Sequence, residues 1–382
     1  MRIVFLCGSL EPGKDGVGDY TRRLAAALIK QGHYAAAVAL NDKHVNTSLP
    51  GMQDIEGISL PVLRLPAGLN GTQVFDAAIA WIDAFDPNWL SLQFVPFAFH
   101  PKGLASQLSS LLLRLGKKRK WHIMVHELWV GMDKKAAKKQ VLWGLLQRRL
   151  IRSLFARLQP AVIHTQSLLY QAQLSKLGIH PDYLPLFSNI PAMGKRYIHP
   201  GQNGMEKPAA VSMVLFGTIL AGAPIEDFAV EAAAYGLKNG IPVSLTMVGR
   251  VGGGQERWVN ACKAAGLTVS LLGEQPAERI SAVLANATIG ISTTAMALAD
   301  KSGAVAAMHE HGIPVLCVSA VWQPRGINHL MLPPGILEYR VGNLETCLES
   351  KINFSRVNTV SSVALALTEK LLSAGSHNKL HR

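Results

Sequence analysis

The chain has 382 residues, 49% hydrophobic and 16% charged, too long for one ordinary core and too apolar for a disordered protein. Its four cysteines lack metal-ligand spacing and no run of about 18 apolar residues occurs, which argues for buried thiols in a reducing cytoplasm and against a spanning helix. The net charge of +13 is uneven: 13 of the 38 basic residues fall within 114–157, opposed only by Glu127 and Asp133.

In chain order, the opening segment 1–7 reads as a strand and not as a signal peptide, because its apolar run is short and Gly8-Ser9 leads into a polar loop. Short apolar runs then alternate with amphipathic stretches. A helix is predicted over 19–31, a strand over 34–40, a helix over 73–85, a strand over 89–94 and a helix over 103–115. A strand at 121–125, a long basic helix at 134–158, a strand at 161–165 and a helix at 168–177 follow. Between Pro191 and Pro208 the pattern dissolves into Gly, Pro, Lys and Asn. It restarts with strands at 211–216, 243–248, 269–272, 289–292 and 315–318, separated by helices at 226–239, 256–265 and 277–285. A last helix, 360–372, runs into a polar tail, 373–382, expected to be disordered.

This βα alternation predicts an α/β protein of two doubly wound parallel-sheet domains. The expected divisions are 1–190, a linker at 191–208, 209–350, and a terminal piece, 351–382, whose helix is a candidate to pack back on the first domain. Ligands of open parallel sheets lie at the carboxyl ends of the strands, so two such domains are expected to hold a ligand in a shared cleft.

Two loops carry candidate chemistry. In the stretch 300–315, a polar loop with Asp300, Lys301 and Ser302 opens a helix at Gly303-Ala304, and the helix ends at Gly312 before a buried strand. The amides at such a helix start sit at the positive end of its dipole, where anions bind. An ordinary helix start is the alternative. The first loop, 8–20, offers Gly16-Val17-Gly18 at a helix entrance. It lacks the dinucleotide fingerprint, because Thr21 stands where a glycine is needed, and a flexible surface turn is its plain reading.

In their order and spacing, several segments resemble the retaining sugar-nucleotide glycosyltransferases of the two-Rossmann GT-B architecture, family 4. They are Gly16-Val17-Gly18-Asp19-Tyr20-Thr21-Arg22, Val125-His126-Glu127-Leu128-Trp129, Leu184-Pro185-Leu186-Phe187-Ser188-Asn189-Ile190-Pro191, Leu245-Thr246-Met247-Val248-Gly249 and Gly312-Ile313-Pro314-Val315. The resemblance covers most of the chain. It implies transfer of a sugar from a nucleotide diphosphate sugar to a hydroxyl acceptor, with retention, in polysaccharide or glycolipid assembly. It also implies two glutamates with seven residues between them around the second loop, and those positions hold Ala299 and Ala307. The basic pair expected after the first strand of the second domain is likewise missing from Gly217-Thr218-Ile219-Leu220. A catalytically inactive nucleotide- or sugar-binding protein on this fold is therefore the competing reading.

On this resemblance, His126 and Glu127 are the candidate catalytic residues. Gly16, Val17, Gly18, Thr218, Arg250, Lys301, Ser302, Gly303 and Ala304 are the candidates for donor and phosphate binding, and Asp300 and Glu310 for the donor sugar or ribose. Gln93, Phe97, His100 and Tyr20 are assigned to the acceptor side, where aromatics suit stacking on a sugar. No Asp-x-Asp occurs, so no metal or other cofactor is expected, and leaving-group charge falls to amides, Lys301 and the helix dipole. The acceptor would be a glycan, a lipid-linked sugar or a small molecule. The segment 114–157 is either a solvated helix face or a contact with an anionic membrane surface, which would place the protein at the inner face of the membrane; nucleic acid has no supporting motif.

Overall fold

The structure is a computed structural model that describes residues 1–67, 71–116, 119–193, 209–331, 334–350 and 358–376. Most of the expected linker (194–208), Lys117, Lys118 and the end of the polar tail (377–382) lie outside the described residues. The chain forms two compact units. One holds Met1–Pro185, Pro324–Asn328 and the terminal helix, and the other holds Leu186–Gln323 and His329–Thr359.

The first unit contains β1 (Arg2–Cys7), α1 (Gly16–Lys30), β2 (Tyr34–Asp42), β3 (Leu49–Ile55), β4 (Ile58–Pro66), α2 (Gly71–Phe85), β5 (Trp89–Phe94), α3 (Pro96–Phe99), α4 (Leu108–Gly116), β6 (Lys120–Val125), α5 (Lys138–Leu158), β7 (Val162–Thr165), α6 (Leu168–Ser175) and β8 (Asp182–Tyr183). Its eight strands are ordered β3-β4-β2-β1-β5-β6-β7-β8. All neighbours are parallel except β3 and β4. These two form a hairpin that the sequence reading omits. Glu56 and Gly57 both take positive φ at its turn, as a two-residue type I′ turn requires.

The second unit contains β9 (Val211–Phe216), α7 (Ile225–Asn239), β10 (Val243–Val248), α8 (Gln255–Ala264), β11 (Thr268–Gly273), α9 (Ala277–Ala285), β12 (Ile289–Ser292), a 3-10 helix (Met296–Lys301), α10 (Gly303–Glu310), β13 (Val315–Cys317), β14 (Ile336–Glu338) and α11 (Leu344–Glu349). Its six strands are parallel in the order β11-β10-β9-β12-β13-β14. A separate apolar cluster covers each face. Phe228 of α7 and Trp258 of α8 pack in one, and Leu284 of α9 with Met308 of α10 in the other. α12 (Val360–Ser376) then returns to the first unit and packs on α1, where Gln31 Nε2 donates to the Ser361 carbonyl at 3.0 Å.

Two predicted helices start later than their sequence suggests. The stretch 103–115 becomes helical only at Leu108, because Gly103 turns at φ +64° with the Gln147 side chain packed where a Cβ would stand. The basic stretch 134–158 becomes helical at Lys138, since Asp133 accepts from the Lys135 amide through its side chain and from Ala136 through its carbonyl, which closes a turn first.

Candidate functional site

In the second sheet, successive connections run outward from β9 one way to β10 and β11 and the other way to β12, β13 and β14. The switch between β9 and β12 is the place where open sheets of this kind form a ligand crevice at the carboxyl edge of the strands. Three loops converge there. Gly217, just after β9, has φ +97°, and a Cβ on it would lie 2.9 Å from the Ala304 Cβ in the first turn of α10. Thr293, just after β12, donates its hydroxyl to the Thr218 carbonyl at 3.0 Å and accepts from the Leu220 amide at 2.8 Å. Ile219 N donates to the Val251 carbonyl at 2.8 Å, which brings in the loop after β10.

Lys301 ends the 3-10 helix and Ser302 caps α10, its Oγ accepting from the Val305 amide at 3.4 Å. The amides of Gly303 and Ala304 are the first two of the helix and have no intrahelical acceptor. Thr218, Lys301, Ser302, Gly303 and Ala304 thus come together at one strand edge. Arg250 lies beyond β10, exposed, with its Nε donating to Glu274 Oε1 at 2.7 Å. Exposed pairs of this kind hold weakly, so the guanidinium can be released to an anion.

Glu310 lies apart from these groups. It ends α10, roughly 12 Å of helix away from Ser302 at about 1.5 Å per residue, and its Oε2 accepts from the Ser188 amide at 3.3 Å. It therefore stands at the far end of the helix from the crevice, whereas Asp300 sits at the near end. Ala299 and Ala307 are fully buried in the apolar cluster with Met308 and Ile313. A carboxylate at either position would enter that cluster.

In the first sheet the switch lies between β1 and β5. The loop after β1 is tied down by a polar cluster. Asp42 accepts from Ser9 Oγ (3.1 Å), the Leu10 amide (3.1 Å) and Arg64 Nε (2.7 Å), while Arg64 Nη2 reaches Glu11 Oε2 at 2.5 Å. Burial would raise the Asp42 carboxyl, but the bonds from Arg64 and from the His44 and Leu10 amides outweigh it and hold it below its usual value.

The amides of Val17 and Gly18 have an acceptor within the chain. Asp15 caps α1, and its Oδ1 accepts from both amides at 2.8 and 3.0 Å, so a carboxylate of the chain already takes them. Gly16, the first residue of the helix, remains exposed. Gly18 has a packing reason to be glycine, since a Cβ there would lie 2.5 Å from the Ser9 carbonyl.

His126 follows β6 and is buried. Its Nε2 lies 2.9 Å from Gln93 Oε1, and its ring meets Tyr20 edge-on at 4.9 Å between centroids. Glu127 beside it is half-buried. Gln93 and Tyr20 are themselves buried. Burial pushes the Tyr20 phenol above its ordinary value. His100 Nδ1 accepts from the amides of Lys102 and Leu104, and its ring lines a cavity of about 440 Å³ with Asn41, Phe75, Phe99 and Leu108. Phe97 is partly exposed beside Gly103.

A connected row of polar groups inside the first sheet escapes sequence reasoning. Gln93 Nε2 donates to Ser91 Oγ at 2.7 Å, Ser91 Oγ lies 2.8 Å from His122 Nδ1, and His122 Nε2 lies 3.0 Å from His164 Nδ1. All are buried. The signal was present as polar residues inside apolar strand patterns, but only strand register reveals that they meet.

The basic segment divides. Arg114 pairs with Asp76, Arg119 with Asp83, and Lys120 Nζ donates to the Ala374 and Gly375 carbonyls at the end of α12. Their charges serve the fold. On α5, by contrast, Leu142, Leu145 and Leu146 are exposed among Lys138, Lys139, Arg149 and Arg152. No helix among the described residues is long and apolar enough to cross a membrane.

No protein-family model matches the chain, and no curated protein does. Solved structures match over nearly its whole length. The Anabaena protein HepE (Alr3699), in complex with UDP and glucose, is 15% identical, with 98% of this chain and 100% of that chain covered and a TM-score of 0.57. The apo form of the lipopolysaccharide outer core galactosyltransferase WaaB is 12% identical over 98% and 99%, TM-score 0.54. A putative UDP-N-acetylglucosamine 2-epimerase from Listeria monocytogenes is 9% identical over 99% and 97%, TM-score 0.55. The fold is the GT-B architecture of two Rossmann-like units.

Proposed function

We propose that this protein is a glycosyltransferase that moves a sugar from a nucleotide diphosphate sugar to a hydroxyl acceptor, with retention and without a metal, in polysaccharide or glycolipid assembly. The observation that carries the reading is the convergence of Thr218, Lys301, Ser302 and the α10 amides at the switch point of the second sheet. Lys301, the Ser302 hydroxyl, the Gly303 and Ala304 amides and a released Arg250 would hold the diphosphate. They would stabilise the charge that develops on it as the glycosidic bond breaks. The Asp300 carboxylate is assigned to the donor's hydroxyls, and His126 and Glu127 are the candidate catalytic pair on the first sheet. Attack on the same face as the departing phosphate, with that phosphate taking the acceptor's proton, is the mechanism this residue set favours, because it requires no protein nucleophile. The cavity beside His100 is the candidate acceptor subsite.

The bound UDP and glucose of the HepE structure support the donor class. The apolar burial of Ala299 and Ala307 favours a second reading, a nucleotide- or sugar-binding protein without turnover. The exposed leucines and cations of α5 support peripheral attachment to an anionic inner membrane surface, each cation contributing on the order of 1 kcal/mol. Failure of the protein to float with phosphatidylglycerol vesicles at low salt would remove that attachment.

Calorimetric titration with UDP, GDP, ADP and dTDP tests the donor site. One nucleotide should bind saturably without magnesium, and Lys301→Ala should weaken it at least about tenfold, roughly 1.4 kcal/mol. Unchanged affinity in a folded variant would remove Lys301 from the site.

A further inference from the structure

The five buried groups His126, Gln93, Ser91, His122 and His164 share one face of the first sheet. Ser91 and Gln93 alternate on β5. His122 and His126 are four residues apart at β6 and its end, and Ser91 is the register partner of His122. Met124 is the partner of His164, which places His164 diagonally beyond His122. Asp182 is the partner of His164 on the outermost strand, and its Oδ2 pairs with Lys370 Nζ of α12 at 2.7 Å.

The four hydrogen bonds along this row can all be made in one direction with every histidine neutral. The Gln93 carboxamide oxygen can only accept, so the His126 Nε2 must donate to it. The Gln93 nitrogen donates to Ser91 Oγ, whose single proton then goes to His122 Nδ1. The His122 Nε2 donates in turn to His164 Nδ1. His164 then carries its own proton on Nε2. Reversal would require the amide to turn over and all three rings to change tautomer together.

We propose that Gln93, Ser91, His122 and His164 are positioning residues that set the tautomer of the His126 ring, so that in its neutral form the proton sits on Nε2. A ligand group that meets Nδ1 of the neutral ring must donate a hydrogen bond, as a sugar hydroxyl does; that consequence rests on the reading of His126 as a site residue, whereas the tautomer does not. Burial, with smaller contributions from His164 and His126, pushes His122 well below its ordinary value, and burial pushes His164 down to about 4 despite the opposing pull of Asp182. Both rings stay uncharged at neutral pH, as the row requires.

Long-range proton–nitrogen correlation spectra of the full chain labelled with 15N-histidine test this directly, with His126 assigned from the spectrum of His126→Gln. The expected signature at pH 8 is a protonated Nε2 and an unprotonated Nδ1 for His126. Ser91→Ala should convert it to a mixture of tautomers, while Ser91→Thr, which keeps the hydroxyl, should restore it. A His126 proton on Nδ1 in the natural protein, or a His126 signature unmoved by Ser91→Ala in a folded chain, would overturn the proposal. A tautomer shift in Ser91→Ala with undiminished sugar transfer would confirm the row and remove His126 from the chemistry.

Discussion

Asp42→Ala should cost about 3 kcal/mol of unfolding free energy, read as a lowered denaturant midpoint at constant slope. Asp42 has no exposure and Arg64 only 8%. Removing the carboxylate strands a buried guanidinium together with the Ser9 hydroxyl and the Leu10 amide, all of which Asp42 now satisfies. Glu11 still reaches Arg64, which places the loss at the low end of the range for a broken buried pair. The paired change Asp42→Leu with Arg64→Met should be milder than Asp42→Ala alone, because it leaves no charge uncompensated. An Asp42→Ala protein within 1 kcal/mol of the natural one would show that the cluster is not what anchors the loop after β1.

The second large effect is acid sensitivity. His164 titrates at about 4 in the folded chain because of burial, with Asp182 pulling up and Lys370 pushing down, against an ordinary value of 6.5. The unfolded chain therefore binds a proton there before the folded chain does. Stability rises with pH across the window from about 4 to 6.5 and is lost as pH falls through it. The full shift corresponds to about 3 kcal/mol. His122, buried between His164 and His126, adds to it with the same sign. His164→Gln keeps an acceptor for His122 and cannot titrate, so its unfolding free energy should fall less between pH 7 and pH 4.5 than that of the natural protein. Parallel curves for the two proteins would contradict this.

Much of the fold is legible in the sequence because buried parallel strands announce themselves as apolar runs between turns. Trp89–Phe94, Val211–Phe216, Val243–Val248 and Ile289–Ser292 have the bounds that their apolar runs mark. The β3–β4 hairpin is not legible, because Leu49–Ile55 is an exposed edge strand with Pro50 and Gly51 and no apolar alternation. At the site, a polar residue before a helix shows that Ser302 caps α10. Asp15 caps α1 in the same way, and its carboxylate takes the amides assigned to phosphate. The fate of Gln93 depends on β5 lying beside β6, a pairing that residue spacing cannot reveal.

Release of free sugar and nucleoside diphosphate from a panel of UDP-, GDP-, ADP- and dTDP-sugars, with no acceptor present, tests the central claim most directly, because a transferase leaks some transfer to water. Slow cleavage of one donor without added metal, reduced in His126→Ala by a larger factor than its nucleotide affinity, is the result that a glycosyltransferase predicts. A donor that binds saturably and is recovered intact, alone and with candidate acceptors, would contradict catalysis and leave a binding protein in which Ala299 and Ala307 stand in place of working carboxylates.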